Sequence, residues 1–202
     1  MARVEGKDNL VTRAANKYVA RTYGRPIGIT NVIAQAPWNM IGWGTLEFGH
    51  DRSHKVEERL KALAEMKAAT IAGCRFCIDI GTAIGRKAGV TEEQIRDFHT
   101  YRESDAFSPL EKLVLEYAEA MTMTPVDVSE ELFAKLREHL DDAALVDLTA
   151  GIAIENFRAR FNYALDIPPA GFSEGMVCPL PEREAAAAAA GEAEPQPERT
   201  IA

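Results

Sequence analysis

Two of the three cysteines in the chain, Cys74 and Cys77, are separated by two residues in the stretch GCRFCIDIGTA. This spacing allows thiol–disulfide exchange, metal binding or a short structural cross-link. A cross-link over so short a loop removes little chain entropy, which weakens the structural interpretation. A closed zinc site needs four ligands, and the other candidates are Cys178 with His50 and His54. Thiol exchange uses the spacing best, because one sulfur attacks and the other resolves the mixed disulfide.

The residues around the pair predict that it lies where one helix ends and the next begins. A long amphipathic helix is predicted from His54 to Ala72, and Gly73 suits the break after it. A second helix is predicted to carry Cys77 and to run to Lys87. Backbone amides at the start of a helix lower the pKa of a nearby thiol, so this position favours a reactive cysteine.

The remaining segments also predict helices, and no segment shows the alternating pattern of a β-strand. Thr91 and Ser108 are each followed three residues later by Gln or Glu, the spacing of a capping box. Ser129 starts another helix, and Asp142 starts a last long one through Leu165. The sequence therefore predicts an all-α fold with a single domain over residues 1–175. The alanine-rich residues 176–202 are predicted to be a low-complexity tail without stable structure.

Composition restricts the classes of partner. The 202 residues carry a net charge of −8, and no basic patch suggests a nucleic acid. The first ten residues lack an apolar signal segment, and three cysteines without such a segment fit the cytoplasm. The uncharged run Pro26–Leu46 contains polar residues that a bilayer would exclude. We expect this run at a subunit interface or lining a pocket near the cysteines, and we expect neither a membrane partner nor a cofactor.

Residues 60–90, LKALAEMKAATIAGCRFCIDIGTAIGRKAGV, resemble the carboxymuconolactone decarboxylase superfamily in its alkylhydroperoxidase (AhpD-like) branch. The shared features are a helix ending in Gly-Cys-x-Phe-Cys, a helix of small residues and a Lys-Ala-Gly turn. The stretches FSPLEKLVLEYAEAMTMTPVDVSEELFAKLREHL and ALVDLTAGIAIENFRARFNYAL extend the resemblance over roughly residues 56–167. The resemblance implies an AhpD-like helical bundle that forms trimers or hexamers, with a dithiol as reductant.

The resemblance also implies roles for individual residues. In this branch the second cysteine attacks and the first resolves, which assigns attack to Cys77 and resolution to Cys74. A histidine four residues after the second cysteine and a glutamate twelve residues before the first form a proton relay. In this sequence these two positions hold Gly81 and Ala62, so the usual relay residues are absent.

Other side chains could replace the missing relay. Glu65 is three residues after Ala62 and therefore near the same helix face. Glu155 lies in the apolar stretch LTAGIAIENF, where burial would raise its pKa and suit it as a base. Pairing with Arg158 or Arg160 is the structural alternative for Glu155.

These observations predict a thiol-dependent redox enzyme, a peroxidase or related oxidoreductase that reduces a small peroxide or disulfide through Cys74 and Cys77. Two alternatives remain open. One is a non-redox lyase or isomerase acting on a small lactone or carboxylate. The other is a non-catalytic helical oligomer with buried cysteines. The sequence does not specify the substrate or the electron donor.

Overall fold

A computed structural model describes residues 2–190, and every regular element in that range is helical. In chain order the helices are α1 (Leu10–Tyr23), α2 (Ile29–Ile33), α3 (Pro37–His50), α4 (Glu58–Ala72), α5 (Arg75–Lys87), α6 (Glu92–Arg96), α7 (Pro109–Thr122), α8 (Glu130–Arg137), α9 (Asp142–Ala164) and α10 (Glu182–Ala189), with a 3₁₀ turn at Phe98–Thr100. The all-α prediction is confirmed.

Local sequence signals set most of the helix starts. The capping boxes predicted at Thr91 and Ser108 are both present, and Pro37 begins α3. The predicted long helix before the cysteines begins at Glu58 rather than His54, because residues 51–57 form turns. Asp147 receives the amides of Lys55 and Val56 within those turns, and this tertiary contact holds them outside the helix.

Helix α4 is the central element of the fold, since it packs against α5, α7 and α9. Leu60, Ala64 and Ala68 pack with α7, α8 and α9 in the first core cluster. Leu63 and Met66 face a second cluster with the aromatic residues that follow α6. Ala69 joins a third cluster, which contains both Cys74 and Cys77. The end of α4 therefore places both cysteines in the interior of the protein.

The predicted unstructured tail differs from the structure between residues 182 and 189, where α10 forms. Glu182 makes an ion pair with the buried Lys67 of α4. Arg75 Nη2 lies 2.7 Å from Glu184 Oε2. These two tertiary ion pairs hold an alanine-rich helix whose own sequence buries little apolar surface. Residues 191–202 of the predicted tail lie outside the described residues.

Helices α1 and α3 leave apolar side chains uncovered by the other described residues. Trp38 of α3 is 84% exposed, and Ile41 and Phe48 of the same helix are exposed as well. On α1, Leu10 and Tyr18 are exposed. None of the α3 residues is fully buried among the described residues, so the α3 part of the run Pro26–Leu46 is left largely uncovered by residues 2–190. Within residues 2–190 no helix is both long and apolar enough to cross a bilayer.

The turn between α4 and α5 requires glycine at position 73, because Gly73 has φ +74°. A Cβ atom costs about 1 to 2 kcal/mol in this left-handed conformation. We therefore expect Gly73→Ala to lower the free energy of unfolding by about that amount in urea titrations of the oxidised protein.

The matched control is Gly44→Ala in α3, where an added Cβ meets nothing within 4 Å and the backbone is helical. This change should stabilise the protein by about 0.5 to 1 kcal/mol. Equal stability of the two variants would contradict a conformational requirement at Gly73.

Candidate active site

The cysteine pair lies at the first turn of α5. Cys74 is the N-cap residue of α5, and its Sγ accepts a hydrogen bond from the Cys77 amide at 3.1 Å. The two cysteines are joined by a disulfide. Both are buried, with Cys74 2% and Cys77 4% exposed. The pair is thus close enough to form a disulfide inside the protein.

Cys77 is enclosed by side chains from other helices. Its Sγ receives a hydrogen bond from Asn162 Nδ2 of α9 at 3.4 Å. Ala159 of α9 and Ile29 and Val32 of α2 pack in the same cluster. Sequence reasoning missed Asn162. Asn162 is three residues after Ala159 and seven after Glu155 in the sequence, and this spacing places it on the same buried face of a long helix.

A cavity of about 250 Å³ reaches the pair from the Cys74 side. Helices α5, α9 and α10, the chain near residue 3 and the loop after α9 form its wall. The lining residues are Arg3, Gly73, Cys74, Arg75, Asn162, Tyr163, Asp166, Ile167, Pro168, Pro169, Arg183 and Glu184. Cys77 does not line this cavity. No residue of the run Pro26–Leu46 lines this cavity either, which leaves a subunit interface as the other place expected for this run.

The two positions of the usual relay cannot supply a base. Ala62 is buried in α4. At Gly81 an added Cβ would lie 3.5 Å from Met66 Cγ, so this position faces an apolar neighbour. The usual glutamate and histidine of the relay are therefore absent from these two positions in the structure, as the sequence indicated.

Glu65 and Glu155 are brought together, as a buried cluster around Arg158 rather than around the cysteines. Arg158 Nη1 lies 3.3 Å from Glu65 Oε2 and 3.3 Å from Glu155 Oε2. Arg158 Nε also donates to Glu47 Oε1 at 2.8 Å, and His50 Nε2 lies 3.0 Å from Glu65 Oε1. The cluster joins α3, α4 and α9.

The surroundings of Glu65 and Glu155 shift the pKa values of these two carboxyl groups in opposite directions. Burial opposes the ionisation of Glu65, but His50, with its Nε2 3.0 Å from Glu65 Oε1, and the charge of Arg158 outweigh it and lower the pKa of Glu65. Burial raises the pKa of Glu155 to about 8, since Arg158 compensates only in part and Glu65 adds repulsion. Glu155 Oε1 has no hydrogen-bond partner among the described residues. The prediction that Glu155 is buried is confirmed.

The cluster and the cysteines contact α9 at different positions along its axis. Glu155 precedes Asn162 by seven residues, which is roughly 10 Å along a helix axis. None of the hydrogen bonds in the described residues links Glu65 or Glu155 to a cysteine sulfur. Direct proton transfer between these carboxylates and the thiols is therefore not built into the geometry.

The other sequence candidates have structural partners. Cys178 Sγ lies 3.4 Å from Thr82 Oγ1, and burial raises the pKa of its thiol. His54 Nδ1 pairs with Glu58 at 2.5 Å, and His50 pairs with Glu65. Among residues 2–190 no three His, Cys, Asp or Glu side chains gather in a way that could hold a metal ion, so the zinc alternative lacks an assembled ligand set.

Replacing Glu155 with glutamine tests whether this carboxyl holds a proton. In the unfolded chain its pKa returns to about 4.5, whereas the folded value is about 8. The folded state then binds the proton more tightly, so the wild type loses stability as the pH rises from about 4.5 to about 8. Relative to the wild type, Glu155→Gln should gain up to about 1 kcal/mol per pH unit over this range in urea unfolding.

Glu65→Gln is the matched control, and its effect on the free energy of unfolding should change with pH in the opposite direction. The lowered pKa of Glu65 stabilises the wild type above the ordinary carboxyl pKa, and this advantage disappears as the pH falls. A stability difference between Glu155→Gln and the wild type that does not change with pH would show that Glu155 is ionised in the folded protein.

Comparison with known proteins identifies the family. A sequence profile of the carboxymuconolactone decarboxylase family matches residues 37–120. The uncharacterized protein YnjA of Escherichia coli K12 is 36% identical over 62% of this chain and 66% of its own length. The uncharacterized protein YdfG of Bacillus subtilis 168 is 34% identical over 57% of this chain and 80% of its own length. The chain thus spans slightly less than two thirds of YnjA.

Solved structures share the fold. The debrominase Bmp8 superimposes with a TM-score of 0.73 at 20% identity, over 85% of this chain and 92% of its own. An alkylhydroperoxidase AhpD core protein from Ralstonia eutropha JMP134 gives 0.74 at 17% identity, over 85% and 94%. Agrobacterium tumefaciens ATU0492, provisionally named an AhpD antioxidant defence protein, gives 0.64 at 26% identity, over 69% and 95%. The chain belongs to the carboxymuconolactone decarboxylase family and has the AhpD-like fold.

Proposed function

We propose that this protein is a thiol-dependent oxidoreductase that reduces a small hydroperoxide or disulfide through Cys74 and Cys77. The observation that carries the proposal is the disulfide at the first turn of α5 with a cavity leading to it. A cavity of about 250 Å³ limits the reacting group to a small molecule or to an extended end of a larger one.

The reaction with a hydroperoxide takes two steps on the protein. One thiolate attacks the outer oxygen, the O–O bond breaks, and the alkoxide leaves as an alcohol after taking up a proton. The sulfenic acid then condenses with the second thiol to give the disulfide and water. An external dithiol reduces that disulfide by two exchange steps and becomes oxidised itself.

The amide groups of α5 and the cavity take the place of the missing relay in this proposal. The start of a helix favours a thiolate over a thiol and needs no histidine. Glu65 and Glu155 then act indirectly. Their shared contact with Arg158 fixes α9 against α4 and thereby positions Asn162 beside Cys77.

Two observations support other activities. The debrominase Bmp8 has this fold, and a cysteine-to-alanine variant of it binds 2,3,4-tribromopyrrole; reductive dehalogenation is therefore a second substrate class to test. His50, paired with Glu65, also lines an open groove of about 1060 Å³ between α3 and α9. That pair could support the acid–base chemistry of a lyase or isomerase, which would survive the loss of both Cys74 and Cys77.

The test is rapid mixing of the reduced protein with cumene hydroperoxide and with 2,3,4-tribromopyrrole, using dithiothreitol to regenerate the thiols. We expect turnover of at least one substrate, and a loss of at least about two orders of magnitude in a Cys74→Ser/Cys77→Ser double variant. Cys178→Ser is the control, because the raised pKa of that thiol predicts no contribution. Unchanged turnover in the double variant would exclude thiol chemistry.

We also propose that the protein forms a homo-oligomer through the exposed apolar faces of α1 and α3. Sedimentation velocity should show an oligomer for the wild type and a shift to the monomer for Trp38→Asp/Ile41→Asp, because the added charges would have to be buried without partners. Lys135→Ala, on the exposed surface of α8, should leave the distribution unchanged. A wild-type monomer at micromolar concentration would contradict this proposal.

A further inference from the structure

We infer that Cys74, and not Cys77, is the sulfur that reacts first, so that the two cysteines have the opposite roles from those implied by the family resemblance. This inference rests on the proposed thiol function and specifies its mechanism. Cys74 is the attacking thiol in the reduced protein and the sulfur that an incoming reductant attacks in the oxidised protein. Cys77 is the resolving thiol.

Access is the first observation that separates the two sulfurs. Both residues are buried, so a reagent must arrive through an opening rather than across open surface. The 250 Å³ cavity is lined by Cys74 and by its neighbours Gly73 and Arg75, and Cys77 is absent from its wall. The rate of thiol exchange depends on which sulfur can be approached, and here that sulfur belongs to Cys74.

Stabilisation of negative charge is the second observation. Cys74 Sγ is the N-cap acceptor of α5 and receives the Cys77 amide at 3.1 Å. Helix α5 has 13 residues, long enough for its aligned peptide dipoles to favour an anion at this end. Arg75 also lines the cavity, but its guanidinium is paired with Glu184, so the helix start is the group that favours the anion. A thiolate at Cys74 is therefore stabilised by groups already in place.

Enclosure of Cys77 is the third observation. Both cysteines belong to the same apolar cluster, but Cys77 Sγ accepts a hydrogen bond from the buried Asn162 and does not line the cavity. An intramolecular partner three residues away can still reach Cys77 when an external reagent cannot. Enclosure therefore suits resolution, which needs only an encounter with Cys74.

The reductive half-reaction follows in balanced steps. A thiolate of the dithiol reductant attacks Cys74 Sγ, the bond between the two cysteines breaks, and Cys77 takes up a proton as a thiol. The reductant's second thiolate then attacks its own sulfur in the mixed disulfide. This step releases Cys74 as a thiolate and leaves the reductant as a disulfide.

Alkylation of the reduced wild-type protein tests the assignment without any substitution. Trypsin cleaves after Arg75 and therefore places Cys74 in residues 68–75 and Cys77 in residues 76–86. Mass spectrometry of samples quenched after brief exposure to iodoacetamide at pH 7 gives a separate rate for each thiol. We expect Cys74 to react at least about tenfold faster than Cys77, the factor for one pKa unit of thiolate stabilisation. Equal rates, or a faster Cys77, would overturn the inference.

A second experiment follows the reaction itself. The Cys77→Ser variant should form a stable mixed disulfide at Cys74 when it is mixed with the acyclic bis(2-hydroxyethyl) disulfide, whereas Cys74→Ser should form one at least about tenfold more slowly at Cys77. The reverse order would overturn the inference. Failure of the proposed function gives a different result. In that case the wild type turns over neither cumene hydroperoxide nor 2,3,4-tribromopyrrole, while the order of alkylation still identifies the more reactive thiol.

Discussion

The interaction on which the rest of the structure depends is the pairing of two buried cations and one partly buried cation with acidic groups from surrounding elements. Lys61 of α4 donates hydrogen bonds to the Asp147 carboxylate and to the Ser53 carbonyl, which fixes the chain before α4. Lys67, also of α4, holds α7 and α10 through Glu119 and Glu182. Arg158 of α9 holds α3 and α4. An unpaired buried charge is very costly, so each cation fixes the position of the elements that neutralise it.

These ion pairs fix the geometry of the cysteine site. Because α4 and α9 are held in register, the turn at Gly73 delivers Cys74 to the start of α5 while Asn162 meets Cys77. In the proposed mechanism the thiolate is stabilised by backbone amides at the start of α5, and no titrating relay is needed.

Local signals in the sequence were sufficient for much of the fold. Capping residues such as Ser108 and the stop at Gly73 predicted where helices begin and end, since these effects involve neighbours in the chain. The long-range contacts were not predictable in this way. Glu65 and Glu155 were chosen for burial and helix position, but only the packing of α9 shows that Arg158 gathers them away from the thiols. Helix α10 was missed because Lys67 and Arg75, far away in sequence, stabilise it.

Segments near both ends of the described residues line the cysteine cavity, and this has a practical consequence. Arg3 lies on one side, bonded through its amide to the Leu165 carbonyl at 2.8 Å, and Arg183 and Glu184 of α10 lie on the other. A polyhistidine tag joined to residue 2 would therefore bring imidazoles close to Cys74, in a site where Gly81 replaces the usual relay histidine. Kinetic measurements on tagged protein could report the chemistry of the tag, so the untagged chain is the appropriate material.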